Sequence, residues 1–312
     1  MKIFLTFLIS GLVVFSGITF FNFRKKVNSA KELVNSYDSQ IFKSSYANVE
    51  YSIKGEGIPV LVVHGIVGGF DQAIVTGENI FGEGYKIIGV SRFGYLNSEL
   101  PEEPTPKNQA KVYNDLLEHL NIDKVIVLAA SAGGAPAYRF TLNYPEKVES
   151  LVLVGSGQPE NKEIDGPLGP PSFVLNDFMF WMMAHPLRNM IMSSMFGIDK
   201  EVYENSSESE KQTLNDLFDV MLPIKPRKPG IVNDTKITNA DMINNYDDYK
   251  LENIDKKVLI FHAENDPMAS YESSVKAHKR LPNSEFHSFE NGGHMIYGHE
   301  DEIKKILNTN FK

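Results

Sequence analysis

The sequence predicts an α/β protein: a mostly parallel sheet with helices on both faces, a helical cap inserted into it, and an apolar helix at the N-terminus. Three observations carry this. Short apolar runs such as VLVV (60–63), VIVLA (125–129), LVLV (151–154) and VLIF (258–261) alternate with helix-length segments, as strands buried on both faces of a parallel sheet do. The alternation stops at Ser156 and resumes at Val258, and the residues between hold Pro, Gly and amphipathic helical stretches but no strand-like run. Residues Ile3 to Phe23 carry no charged side chain.

In chain order, that N-terminal segment comes first. Its 21 residues would extend ~31 Å as a helix, enough for the ~30 Å hydrocarbon layer. A retained membrane anchor over residues 1–26 is therefore expected. A cleaved secretory signal begins in the same way and would give a secreted protein, but the apolar run here continues past Ser16 and Gly17 without an A-x-A-like exit. A buried core helix is the third alternative. Lys2 precedes the segment while Arg24, Lys25 and Lys26 follow it, a count that favours a cytoplasmic body. Residues 24–45 are polar and suit a short stalk or a lead-in helix (Ala30–Tyr37) between anchor and domain.

Strands are predicted at Val49–Ile53, Pro59–Val63, Lys86–Val90, Lys124–Ala129, Ser150–Val154, Lys257–His262 and Glu285–Phe289. Between them, Lys107–Leu120 places Ala110, Tyr113, Leu116, Leu117 and Leu120 on one helical face. The expected organisation is a core from 45–156 and 251–312, interrupted by a helical lid over 157–250. The 312 residues, 42% hydrophobic and 23% charged, can build one large core and exclude a disordered chain. A net charge of −9 argues against nucleic acid as a partner. The absence of cysteine removes disulfides, thiolate metal sites and a Cys nucleophile together.

Chemistry concentrates where strands end. The strand at Lys124–Ala129 runs into Ala129-Ala130-Ser131-Ala132-Gly133-Gly134, which opens a helix to about Asn143. Small residues on both sides of Ser131 allow the sharp strand-to-helix turn that lifts a serine oxygen above a sheet, and the helix start favours a developing negative charge nearby. A helix-capping serine is the plainer alternative. A second strand ends in His64-Gly65-Ile66-Val67-Gly68-Gly69, a turn whose amides could face the serine; it lacks the Lys-Ser/Thr of a phosphate-binding loop. Two further strands end in Glu264-Asn265-Asp266-Pro267 and Gly292-Gly293-His294. Serine, carboxylate and histidine in that order suit nucleophilic acyl transfer, in which the acid orients the imidazole and the imidazole takes the serine proton.

Taken together, these segments resemble the α/β-hydrolase fold family over residues 45–312. Supporting features are the H-G-x-x-G-G turn, Ser-Arg-Phe-Gly-Tyr at 91–95 followed by Ser98, the Ala-x-Ser-x-Gly-Gly elbow, and Tyr-Pro-Glu-Lys-Val at 144–148. Ala129 and Ala263 stand where the family often has Gly. The resemblance implies a Ser131, Asp266, His294 triad, with Asp266 preferred to Glu264 for its place before Pro267. It also implies an oxyanion hole from the backbone N–H groups of Ile66 and Ala132, and neither cofactor nor metal. His119, His262 and His278 read as structural, and His299 with Glu300 and Asp301 as a helix start.

Within the lid, six of the eleven methionines fall between Met179 and Met195, alongside Phe178, Phe180, Trp181 and Phe196. Trp181, Met182 and Met183 are candidate substrate-binding residues of an adaptable apolar roof, unless the cluster only packs the lid onto the body. The expected function is an ester hydrolase acting on a small apolar ester or acyl substrate through Ser131. A carbon–carbon bond hydrolase or lyase on the same scaffold is the alternative, with an aminopeptidase or a non-catalytic binding protein behind it.

Overall fold

The computed structural model describes residues 2–312, with the side chains of residues 2, 3, 5–9 and 11–13 outside that description. The eight strands are β1 (Ser39–Lys43), β2 (Asn48–Lys54), β3 (Ile58–Val63), β4 (Tyr85–Val90), β5 (Val125–Ala130), β6 (Val148–Val154), β7 (Lys257–Ala263) and β8 (Ser284–Phe289). They form one sheet in the order β1-β2-β4-β3-β5-β6-β7-β8. Only the β1/β2 and β2/β4 pairs are antiparallel, so six strands from β4 to β8 run parallel. The strand at β1 was not foreseen: Phe42 is its one buried side chain, so this edge strand offers no apolar run to read.

Side chains alternate across the sheet, and each face finds its own helices. Leu61, Val63, Val127 and Ala129 pack with Tyr113 and Leu116 of α3 (Pro106–His119) and Tyr138 of α4 (Gly134–Asn143). On the opposite face Val60, Val62, Ile126 and Leu128 pack with Ala73 and Ile74 of α2 (Phe70–Phe81) and Ile303 and Leu307 of α12 (Glu300–Phe311). Helix α11 (Tyr271–Arg280) connects β7 to β8. Every loop that carries a candidate site residue therefore leaves the carboxyl end of a parallel strand, where an open α/β sheet places its ligands.

Between β6 and β7 the described residues contribute helices only: α5 (Asp177–Ala184), α6 (Arg188–Phe196), α7 (Lys200–Asn205), α8 (Glu208–Asp219), α9 (Lys228–Asn233) and α10 (Asn239–Asn244), with a π-helical turn at Asp234–Thr238. Their core gathers Leu175, Trp181, Met192, Leu214, Phe218 and Ile231.

The membrane anchor expected over Ile3–Phe23 is corrected here. Among the described residues no helix is long and apolar enough to cross a membrane. Part of the expected span, at residues 3, 5–9 and 11–13, falls outside the described side chains. The single-pass membrane location and its membrane partner give way to one unbroken helix, α1 (Lys2–Ser36), which takes in most of the lead-in helix expected at Ala30–Tyr37. Its later half is held by the cap. The Phe23 ring lies edge-on to Phe178 and Trp181 at 5.3 and 5.7 Å, Val27 and Ala30 are buried, and Lys26 Nζ sits 2.6 Å from Asp219.

Candidate active site

The nucleophile position is built by local chain geometry. Ser131 follows β5 at a φ of 51°, a left-handed conformation costly for any side chain but glycine and one that a sharp strand-to-helix turn imposes. Gly133 explains the small residue on its far side, since a Cβ there would lie 2.3 Å from the Val63 carbonyl oxygen. Gly65 faces the turn from β3, where a Cβ would come within 3.1 Å of Ser131 Cβ. The Ser131 carbonyl accepts from Gly157 N at 3.3 Å and from Ser156 Oγ at 3.2 Å, which holds the turn from behind.

Ser131, His294 and Asp266 come together in one hydrogen-bonded chain. Ser131 Oγ lies 2.9 Å from His294 Nε2, and His294 Nδ1 lies 2.9 and 3.1 Å from the two oxygens of Asp266. Because a carboxylate only accepts, Nδ1 carries the proton and Nε2 is left to accept from the serine hydroxyl. The two loops are also tied together, as Gly293 N donates to Asn265 Oδ1 at 2.9 Å. Glu264, the rival acid, turns outward and accepts from Ser288 Oγ at 3.1 Å.

Asp266 is held from four sides. Its Oδ1 accepts from the amides of Met268 and Ala269 at 2.8 and 3.0 Å, and its Oδ2 lies 3.1 Å from His262 Nε2 as well as close to His294. Burial alone would raise this carboxyl, but hydrogen bonds from His262 and His294 outweigh it and hold the group well below the usual carboxylate range. The role of His262 beside Asp266 was missed from sequence, where it read as a strand histidine. The signal lay in its spacing, four residues before the acid at the end of the same strand.

Ile66 and Ala132 flank Ser131 on the wall of a cavity of about 720 Å³ that also reaches His294 and extends beneath the cap. That is the size of a small-molecule site. Met183 lines it, together with Phe180, Ile191, Met195, Leu214 and Phe218. Trp181 and Met182 are not on its wall. Trp181 is instead buried against Phe23 of α1 and Phe178, an arrangement invisible while the N-terminal segment was assigned to a membrane. Polar groups on its wall include Gln72, Thr76, Asn79, Gln158, Glu300, and Glu160 hydrogen-bonded to Lys162. Burial pushes the Glu300 carboxyl up from its ordinary value. Among the described residues no group of three or more His, Asp or Glu side chains is arranged to hold a metal.

A parallel sheet with this serine, acid and histidine at its strand ends defines a hydrolase of the α/β class, and comparison with known proteins agrees. Residues 58–190 and 231–301 match the family model for the alpha/beta hydrolase fold, and the chain belongs to that family. A solved alpha/beta hydrolase fold protein from Nakamurella multipartita superposes with a TM-score of 0.73 at 26% identity, covering 87% of this chain and 98% of that one. The chain is 26% identical over 280 residues to 2-hydroxy-6-oxononadienedioate/2-hydroxy-6-oxononatrienedioate hydrolase 1 of Pseudomonas putida, covering 83% of this chain and 90% of that protein. It is 38% identical to the uncharacterized hydrolase YcgS of Bacillus subtilis over 106 residues, which span 34% of this chain and 37% of that protein.

Proposed function

We propose that this hydrolase cleaves carboxylic esters of apolar acids through an acyl-enzyme on Ser131. One observation carries the reading: the hydrogen-bonded line from Asp266 through His294 to Ser131 Oγ opens into a cavity roofed by apolar side chains of the cap. Ser131 Oγ attacks the ester carbonyl carbon as its proton passes to His294 Nε2. The amides of Ile66 and Ala132 stabilise the oxyanion that forms. Collapse expels the alcohol, which takes its proton from His294. A water molecule then attacks the acyl-enzyme with His294 as base, releasing the acid and restoring Ser131. Asp266, ionised throughout, keeps Nδ1 protonated and steadies the imidazolium.

A carbon–carbon bond hydrolase is the second reading, favoured by the Pseudomonas putida relative, whose name specifies a dioate substrate. A dicarboxylate needs cationic partners. Among the described residues lining the cavity, Lys162 is the one fixed cation, it is already bonded to Glu160, and Glu300 adds a further carboxyl. That balance suits an uncharged apolar ester better. The test is a series of two- to ten-carbon acyl esters. Specificity constants are expected to rise roughly fourfold per methylene, the ~0.8 kcal/mol of burying a CH₂, until the cavity is full. A preference for dicarboxylate carbon–carbon substrates over every ester in the series would overturn the ester reading.

A further inference from the structure

We infer that Arg92, clamped by Asp234 of the cap, is a positioning residue of the oxyanion hole: its guanidinium fixes the Gly65–Ile66 peptide so that the Ile66 N–H is turned toward Ser131. The inference rests on the ester-hydrolase reading above. The Gly65 carbonyl accepts from Arg92 Nη2 at 3.0 Å, from His64 Nδ1 at 2.7 Å and from Gly68 N at 3.3 Å. In a trans peptide the C=O and the following N–H point in opposite directions. Tying the carbonyl on one side therefore sends the Ile66 N–H to the other. Gly65 abuts Ser131, and Gly65 and Ile66 both border the cavity into which Ser131 opens, so it is to that side that we assign the Ile66 N–H. Among the described residues the Ile66 amide makes no hydrogen bond within the chain, so it is free to serve an oxyanion.

Arg92 acts on this carbonyl twice. Besides the guanidinium contact, its backbone N–H donates to His64 Nε2 at 3.0 Å, which makes Nε2 the acceptor and leaves the His64 proton on Nδ1, facing Gly65 O. The guanidinium in turn is gripped by Asp234, with Nη1 2.5 Å from Oδ1 and Nη2 2.6 Å from Oδ2, while Tyr95 Oη donates to the same Oδ2 at 2.5 Å. Arg92 and Asp234 are both buried, so the pair is little screened by water. An arginine of the cap itself repeats the device with the partners exchanged, as Arg227 Nη1 donates to Gly68 O at 2.7 Å and the guanidinium pairs with buried Asp71 of the body. The turn that supplies an oxyanion donor is thus anchored at two carbonyls, at Gly68 directly from the cap and at Gly65 through Arg92, which the cap holds by Asp234. A cation on the carbonyl end of the Gly65–Ile66 peptide also polarises its N–H, strengthening a donor already aimed.

The test replaces the buried pair with apolar side chains, Arg92→Met together with Asp234→Leu, which removes the donor to Gly65 O without leaving a lone buried charge. Four quantities are read against wild type: kcat and KM on a short ester, the rate of phosphonylation at Ser131 by a fluorophosphonate, and the melting temperature. Loss of one oxyanion donor predicts kcat lower by about 10²-fold, phosphonylation slowed in step, and KM within about threefold. A folded double variant with kcat and labelling rate within threefold of wild type would show the pair to be structural only and would overturn the inference. Should the double variant not fold, Asp234→Asn keeps one oxygen to accept from Arg92 Nη2 and Tyr95 but withdraws the acceptor of Arg92 Nη1, and carries the same comparison, with an expected loss of about tenfold for a loosened donor. Wild-type protein that neither hydrolyses esters nor is labelled at Ser131 overturns the proposed function and the inference with it. Labelled wild type with unaffected variants overturns the inference alone.

Discussion

Asp266 accepts four hydrogen bonds or close N–H contacts, and this concentration sets the pH behaviour of the site. Its folded-state pKa is depressed, so its pairing stabilises the fold at pH above its unfolded value of about 4 and loses that contribution as pH falls from there through the depressed value. The stability gap between wild type and Asp266→Asn, read from urea midpoints, should therefore be open at pH 7 and shrink progressively below about pH 4. With its carboxyl held well below the usual carboxylate range, Asp266 stays ionised beside His294 Nδ1 through mildly acidic pH. Asp266→Asn should cut kcat by about 10³–10⁴-fold with little change in KM, because it alters imidazole tautomer and charge rather than substrate contacts. A loss confined to KM would point away from this assignment. The three residues of the proposed triad could be singled out in the sequence because each follows its strand within a few positions, and the fold brings them into one hydrogen-bonded chain. The His262 contact could not, since a buried strand histidine looks the same whether or not a carboxylate folds back onto it.

At the level of elements, the methionine-rich helices divide their labour. Met183 of α5 faces the cavity, whereas Trp181 two residues earlier is buried against Phe23 of α1. Met183→Ala should thus shift the acyl chain-length optimum of ester hydrolysis while leaving a two-carbon ester nearly unchanged. Trp181→Ala should keep the optimum and lower stability by about 3–5 kcal/mol, the range for deleting a large buried aromatic ring. Specificity constants across the ester series and a denaturant melt of each variant separate the two effects. Equal losses at every chain length for Met183→Ala would count against the roof. Helical periodicity marked this segment as apolar, but the hydrophobic stripe alone does not say which side meets substrate, because the partner surface on α1 lies about 160 residues away in the chain. The same distance hides the contacts of α1: Phe23, the last residue of the uncharged run, and Ala30 beyond it pack with the cap, while Phe15, Ile18 and Phe21 of the run stay exposed.

Across the whole molecule, cap and body are joined by buried ion pairs, among them Arg92–Asp234, Arg227–Asp71 and Arg139–Asp241. Removing one partner leaves a buried charge unpaired, so Arg227→Met should destabilise by about 3–5 kcal/mol, while Arg227→Met with Asp71→Leu should recover most of that loss. Urea denaturation of the single and double variants checks this, and equal loss in both would mean that packing rather than charge sets the cost. Such pairs escaped the sequence reading for a physical reason: residues 142 and 156 apart meet only once the cap has folded over the sheet, and a lone Arg or Asp resembles any surface charge until then. The alternation of strands and helices, by contrast, was legible because burial on both faces of a parallel sheet forces continuous apolar runs. The central claim, an acyl-enzyme on Ser131, is tested most directly by acid-quenching the protein during turnover of an activated ester and locating the acyl group by peptide mass spectrometry. The account predicts one acyl group per chain, on the peptide bearing Ser131, and none in Ser131→Ala; an adduct on another residue, or undiminished ester cleavage by Ser131→Ala, would contradict it.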